Sequence, residues 1–287
     1  MKLLAVSGGV DSMLLAHKYR NKNVILAYVN YNVRKDTHID QKIVEEFAKK
    51  NQLKLEKLIL KKSVKPNRNF ENWAREIRYD FFKKIYQKYN CSQLLIAHHK
   101  DDFLETCLMQ KEKNKDKLFY GIKKKTTFKN MKINRPFLFK YWKTEIYDLA
   151  KKMNIQYHDD YTNFDSKYKR NEIRNNYLNN LSIDKKEKEL HEFLELNNKN
   201  KSKIAEIKNE YKKWRKTFFN TRTFISLSFK DELIKLFINR RSTNVNLSKN
   251  IISNIILFIK SRNNRKQFKL SKNVFLIKKN NKLFLDK

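Results

Sequence analysis

The sequence predicts an α/β chain, a parallel sheet wound with helices over residues 1–185, followed over 186–287 by a smaller, basic, mainly helical region ending in a β-hairpin. Three observations predict it. Residues 3–15 read as a short apolar strand, a Gly8-Gly9 turn and a helix start, in a chain that has only three glycines. Short apolar runs then alternate with amphipathic stretches, the pattern of right-handed βαβ units. The net charge of +36 is spread unevenly: residues 1–150 carry +17, residues 151–198 are balanced, and the last 89 residues carry +19.

Taking the elements in order, the first helix runs to about Arg20 and Val24–Tyr31 forms a second buried strand. A helix over Asp36–Asn51 precedes a third strand at Leu53–Leu60, and a polar linker holding Pro66 leads to a helix opening at Asn72. Leu94–Ala97 is a fourth strand, and His98-His99-Lys100-Asp101-Asp102 enters a helix that contains Glu105. After a weakly patterned excursion at 110–130 come a fifth strand, Ile133–Phe139, and a helix, Thr144–Met153. Farther on, three- and four-residue steps predict a helix through Ile204, Ile207, Tyr211, Trp214 and Phe218, its aromatic stripe reading as core and its lysines as the outer face. Two more helices are expected at Phe224–Ile238 and Asn250–Ser261, and Phe268–Leu285 reads as the hairpin, turning at Asn280-Asn281.

A glycine turn that opens a helix aims unpaired N–H groups and the positive end of the helix dipole at one point, which makes it an anion cradle, with Ser7 and Ser12 as further donors. The kinase and GTPase loop pattern is absent, and Asp11 stands near the glycines instead of a lysine. A carboxylate beside polyphosphate calls for a cation between them, hence Mg²⁺. Asp101 and Asp102 leave the sheet on the same edge; they either cap their helix or complete a metal shell. Arg75 and Arg78 share one helical face, as do Arg170 and Arg174, spacings suited to gripping phosphate or to plain solvation. Cys91 and Cys107 are too few for a disulfide framework or a zinc site, and the apolar runs are too short to cross a bilayer. A reducing cytoplasm fits both facts.

Ser7-Gly8-Gly9-Val10-Asp11-Ser12 resembles the signature of the PP-loop ATP pyrophosphatases, a Rossmann-like nucleotide-binding class. AREIRY (74–79), AHHKDDFLET (97–106), NRPF (134–137), DDYTN (159–163) and RNEIR (170–174) then follow in the order and rough spacing of the tRNA(Ile)-lysidine synthetases, over about residues 1–180. One departure is Val29-Asn30-Tyr31-Asn32, where that family usually shows a VDH or VNH segment. The resemblance implies ATP bound by Ser7, Gly8, Gly9, Val10, Asp11 and Ser12 with His98 and Arg75, and Mg²⁺ on Asp11 and Asp102. It also implies catalysis by Asp11, Asp101, Asp102, Arg170 and Arg174. The partners it implies are L-lysine and an isoleucine tRNA with a CAU anticodon, whose wobble cytidine is adenylated and then attacked by the lysine ε-amine. Arg78, Arg170, Arg174, Lys212, Lys213 and Arg215 are the expected tRNA contacts. No membrane partner is expected, and a homodimer is allowed for. A tRNA thiolase of the same class would want clustered cysteines, a small-molecule amide synthetase has no use for a basic tail, and a non-enzymatic RNA-binding protein leaves the N-terminal motifs without a purpose.

Overall fold

The computed structural model describes residues 1–33, 36–61, 70–112, 117–159, 169–242, 245, 247–261 and 267–286. The expected linker around Pro66 and the stretch Asp160–Asn163 lie outside them. The chain forms two compact units, Met1–Glu195 and Leu196–Lys287.

The first unit is built on β1 (Lys2–Val6), β2 (Val24–Asn30), β3 (Lys54–Ile59), β4 (Gln93–Leu95), β5 (Lys125–Phe128) and β6 (Met131–Asn134), in the sheet order β3-β2-β1-β4-β6-β5. All neighbours pair in parallel except β5 with β6. β1 and β2 are almost continuously apolar because both faces of a central parallel strand are covered. Leu4, Val6, Leu26 and Tyr28 face a core shared with α1 (Val10–Tyr19), α2 (Thr37–Lys50) and α5 (Lys143–Lys152). Leu3, Ile25, Ala27 and Leu94 face the opposite core, with Tyr79, Phe82 and Ile85 of α3 (Phe70–Lys88). A third cluster joins Phe103 and Leu104 of α4 (Lys100–Glu112) to Trp142, to Ile173 of α6 (Lys169–Asn176), and to Leu190 and Phe193 of α7 (Ile183–Lys199).

The sheet differs from expectation in two places. The excursion at 110–130 contains β5, which folds back on β6 through Lys129 and Asn130, both with positive φ. The fifth strand is also shorter than expected and starts earlier: it ends at Asn134, where Pro136 removes a donor from the ladder. Winding runs from β1 outward to β3 and resumes on the other side at β4, so the crevice of the sheet opens between the carboxyl ends of β1 and β4.

The second unit contains α8 (Lys201–Lys216), α9 (Thr221–Ser226), α10 (Lys230–Asn239) and α11 (Lys249–Lys260), with an antiparallel sheet of β7 (Gln267–Ser271), β8 (Val274–Lys279) and β9 (Lys282–Asp286). Tyr211, Trp214, Phe224, Phe237, Ile255, Leu276 and Leu283 share one core. The single helix expected over Phe224–Ile238 is two helices, because the Glu210 carboxylate accepts the Ser228 and Phe229 N–H groups at 3.1 Å and stops helical pairing there. The expected hairpin is one half of a three-stranded meander; Asn280 and Asn281, at φ 50° and 56°, make the tight turn of that half.

Candidate active site

The β1–α1 loop is held by its own serines. The Ser12 hydroxyl donates to Gly9 O at 2.9 Å and accepts from Ser7 N–H at 3.0 Å, and the two hydroxyls lie 3.2 Å apart. Gly8 sits at φ +86°, and a Cβ there would stand 2.8 Å from the Cα of Asp40 on α2. Its glycine is therefore needed both for the turn and for the close approach of α2. His158 locks the loop from the other side, donating its N–H to Gly8 O at 3.1 Å and meeting Asp40 Oδ1 through Nδ1 at 3.0 Å. Val10 is buried in the core, so it offers a ligand only its backbone.

Asp11 points from the start of α1 toward the end of β4. Lys143 Nζ lies 2.8 Å from each of its carboxylate oxygens. Buried His99 faces three carboxylates: Asp11 at 3.8 Å and Asp102 at 3.4 Å from Nε2, and Asp101 at 3.3 Å from Nδ1. Burial pushes the imidazole pKa down, yet those three charges outweigh it and hold it at about 9, so His99 is a cation at neutral pH. Asp101 accepts from Lys143 N–H at 2.8 Å and from Lys186 Nζ at 3.0 Å. Burial opposes its ionisation, but His99 and Lys186 keep its pKa at about 2. Asp102 accepts from His99 N–H at 2.9 Å and Arg170 Nη2 at 2.6 Å, and against the same burial its carboxyl stays well below the usual range.

Beneath them lies Glu105, with none of its surface exposed. Arg170 Nε donates to one of its oxygens at 2.5 Å and Arg174 Nε to the other at 2.6 Å. Both arginines are thus held by carboxylates at the site wall. Asp11, His99, Asp101, Asp102, Lys143 and Arg174 line one cavity of about 530 Å³.

His98 does not line the cavity: its Nδ1 accepts from Arg135 Nε at 2.8 Å, and burial drives its pKa down to about 4 against the pull of Asp102, so it stays neutral. Arg75 lies over the Tyr79 ring at 4.8 Å on α3, and neither it nor Arg78 lines the cavity. Lys212, Lys213 and Arg215 are exposed on α8 of the second unit, while Ile207, Tyr211 and Trp214 of the same helix are buried. Lys143, Lys186 and the acceptor role of Glu105 escaped the sequence reading. In a chain with 66 lysines and arginines, two lysines have no compositional signal.

The fold and the loop define a PP-loop protein, and the PP-loop domain family model matches residues 1–181. Along nearly its whole length the chain is similar to proteins named tRNA(Ile)-lysidine synthase. That of Mycoplasmopsis pulmonis is 43% identical, covering 97% of this chain and 96% of that one; that of Mesomycoplasma hyopneumoniae is 40% identical, covering 96% and 93%. The chain belongs to the tRNA(Ile)-lysidine synthase family. The U34-tRNA thiolase NcsA from Methanococcus maripaludis, a structure with its [4Fe-4S] cluster, is 18% identical with a TM-score of 0.52 over 69% of this chain and 71% of that one, a likeness of fold alone.

Proposed function

We propose that this enzyme ligates lysine to C2 of the wobble cytidine of the CAU-anticodon isoleucine tRNA at the expense of ATP. The C2 oxygen of the cytidine attacks the α-phosphorus of ATP and pyrophosphate leaves. The ε-amine of lysine then attacks C2, loses a proton, and AMP departs with the C2 oxygen. The observation that carries the reading is the convergence of Asp11, Asp101, Asp102 and Arg174 on one cavity at the carboxyl ends of β1 and β4, in a chain this similar to lysidine synthases.

The loop Ser7–Ser12 and the start of α1 receive the pyrophosphate, using backbone N–H groups and the helix dipole. Lys143, paired with Asp11, adds a positive charge there. Mg²⁺ would be held by Asp11 and Asp102, in exchange for the cationic partners their oxygens have here, Lys143, Arg170 and His99. No protein-only cage of three or more acidic, His or Cys ligands exists among the described residues, in keeping with an ion that takes most of its shell from water and phosphate. When bound, it supplies neutralisation of the charge that develops on the leaving group. Asp101 and Asp102, held far below the usual carboxylate range, accept hydrogen bonds well but protons poorly, so they orient the amine. Arg170 and Arg174 fix the site wall, and Arg78 with Lys212, Lys213 and Arg215 contacts the tRNA. The first unit, Met1–Glu195, is the catalytic domain, ten residues longer than the expected 1–185 because α7 packs on it and brings Lys186 to Asp101, and Leu196–Lys287 is the tRNA-binding region. Two free buried thiols suit a reducing cytoplasm.

The test is pyrophosphate release from ATP and Mg²⁺ with the CAU isoleucine tRNA transcript, with and without lysine. Release that requires the tRNA, with lysine joining the RNA, is expected. Release without tRNA would overturn the assignment in favour of a small-molecule synthetase.

A further inference from the structure

The sheet of the C-terminal unit has two unlike faces. Phe268, Leu270, Leu276, Leu283 and Leu285 pack on the core. The register aligns the other face in rows: Gln267, Ile277 and Phe284 in one, Lys269, Phe275 and Asp286 in the next, and Lys279 with Lys282 at the end. Phe284 is 48% exposed on this face.

A second ring joins it from the turn between α8 and α9. That turn runs along β9: Leu283 N–H donates to Phe219 O at 3.1 Å, Thr221 N–H donates to Asn281 O at 2.7 Å, and Asn220 bridges Lys282. Phe218 and Phe219 both have positive φ, 53° and 59°, a conformation that is unfavourable for bulky residues. Its effect is to send the two rings opposite ways. Phe219 packs on Trp214 and Phe237. Phe218 breaks the buried stripe of α8 and is 70% exposed, the most exposed large hydrophobic side chain among the described residues, with Lys282 Nζ 4.9 Å from its ring centre. Lys279, opposite Lys282 in the register, is exposed, as are Lys216 and Arg222 to either side of Phe218 in the chain.

We propose that this face, with Phe218 and Phe284 as its rings, binds unpaired nucleotides of the RNA substrate. The rings stack on bases, and Lys279, Lys282 and Arg222 hold the adjoining phosphates. Aromatic rings set among cations are the chemistry that single-stranded RNA recognises, since every base has a face to stack and every linkage a charge. A second copy of this chain would bring like charge to the same surface. The inference rests on the reading that the basic second unit grips the tRNA.

The experiment measures Kd for the CAU isoleucine tRNA transcript over a salt series, using the full chain. The variants are Phe218→Ala, Phe218→Tyr, Phe284→Ala and a Lys212→Ala/Lys213→Ala/Arg215→Ala triple. Phe218→Ala and Phe284→Ala should each weaken binding about tenfold without changing the salt slope, Phe218→Tyr should bind as the parent does, and the triple should flatten the slope. Phe218 is exposed, so its variant should keep the parent's melting temperature and reads the proposal even if Phe284→Ala is less stable. If the triple flattens the slope while both ring variants bind normally, the stacking face is overturned and the basic unit stands. If neither set changes binding, both readings fall. A concentration-dependent dimer that Phe218→Ala dissolves would assign the face to a second copy and overturn it too.

Discussion

Lys143 holds Asp11 by both carboxylate oxygens, each 2.8 Å from its ammonium. The side chains are 32% and 31% exposed, so the pair contributes only about 0–1 kcal/mol to stability. In the proposed reaction the pair would place a cation where pyrophosphate charge develops. Lys143→Met should lower kcat/KM for ATP by about 10²-fold with little change in melting temperature, and Lys143→Arg should recover part of the loss. Pyrophosphate release and thermal melts check it. A variant that melts early yet turns over normally would make Lys143 a structural residue.

Asp11→Asn tests the neighbouring role. The amide keeps the shape and removes the charge that would share Mg²⁺ with Asp102. Pyrophosphate release should be abolished at any Mg²⁺ concentration, while tRNA binding stays as in the parent. Normal turnover would take Asp11 out of the metal site.

How much of this was legible in the sequence depended on range. The loop stood out because two of three glycines lie together between apolar runs, and β1 and β2 because strands covered on both faces are apolar throughout. Local signals also gave α5 and α11 to within about a residue or two, the usual ambiguity of helix ends. What failed was long-range. Glu210 interrupts a helix from 18 positions away, and β5 pairs only because its partner folds back on it. Lys186 reaches Asp101 across 85 positions. The spacing of Arg75 and Arg78 was real, yet spacing says which residues share a helical face and nothing about what that face meets. Phe218 fitted the aromatic stripe by periodicity, but the helix ends at Lys216, and beyond it the backbone turns left-handed.

Glu105 anchors the arginines, and its loss should be felt in the fold. Glu105→Gln leaves two guanidinium groups facing a neutral amide at a site with no exposed carboxylate surface. Breaking a buried pair costs about 3–5 kcal/mol. The Arg170 side chain is 40% exposed and relaxes into water, which brings the expected loss to about 2–3 kcal/mol. For a unit of this size, that corresponds to a fall in melting temperature of about 5–10 °C. A change under about 1 °C would show that the arginines find equal partners in solvent.

The charge on His99 predicts a specific pH dependence. Its folded pKa, about 9, lies above the ordinary value of 6.5, because Asp102, Asp101 and Asp11 outweigh burial. The folded state therefore binds this proton more tightly than the unfolded state does. The resulting stabilisation is complete below about pH 6.5 and is lost as pH rises through 9. The neighbours do not mask this window. Asp101, at about 2, loses its contribution only as pH falls from 3.8 toward 2, and His98, at about 4, penalises the fold only as pH falls below 6.5. Urea midpoints of the parent should decline between pH 6.5 and 9, and those of His99→Gln should be lower at pH 6.5 and flatter over the same interval. Parallel curves would mean that His99 is neutral at physiological pH and that the three carboxylates take their positive charge from Lys143, Lys186 and Arg170 alone.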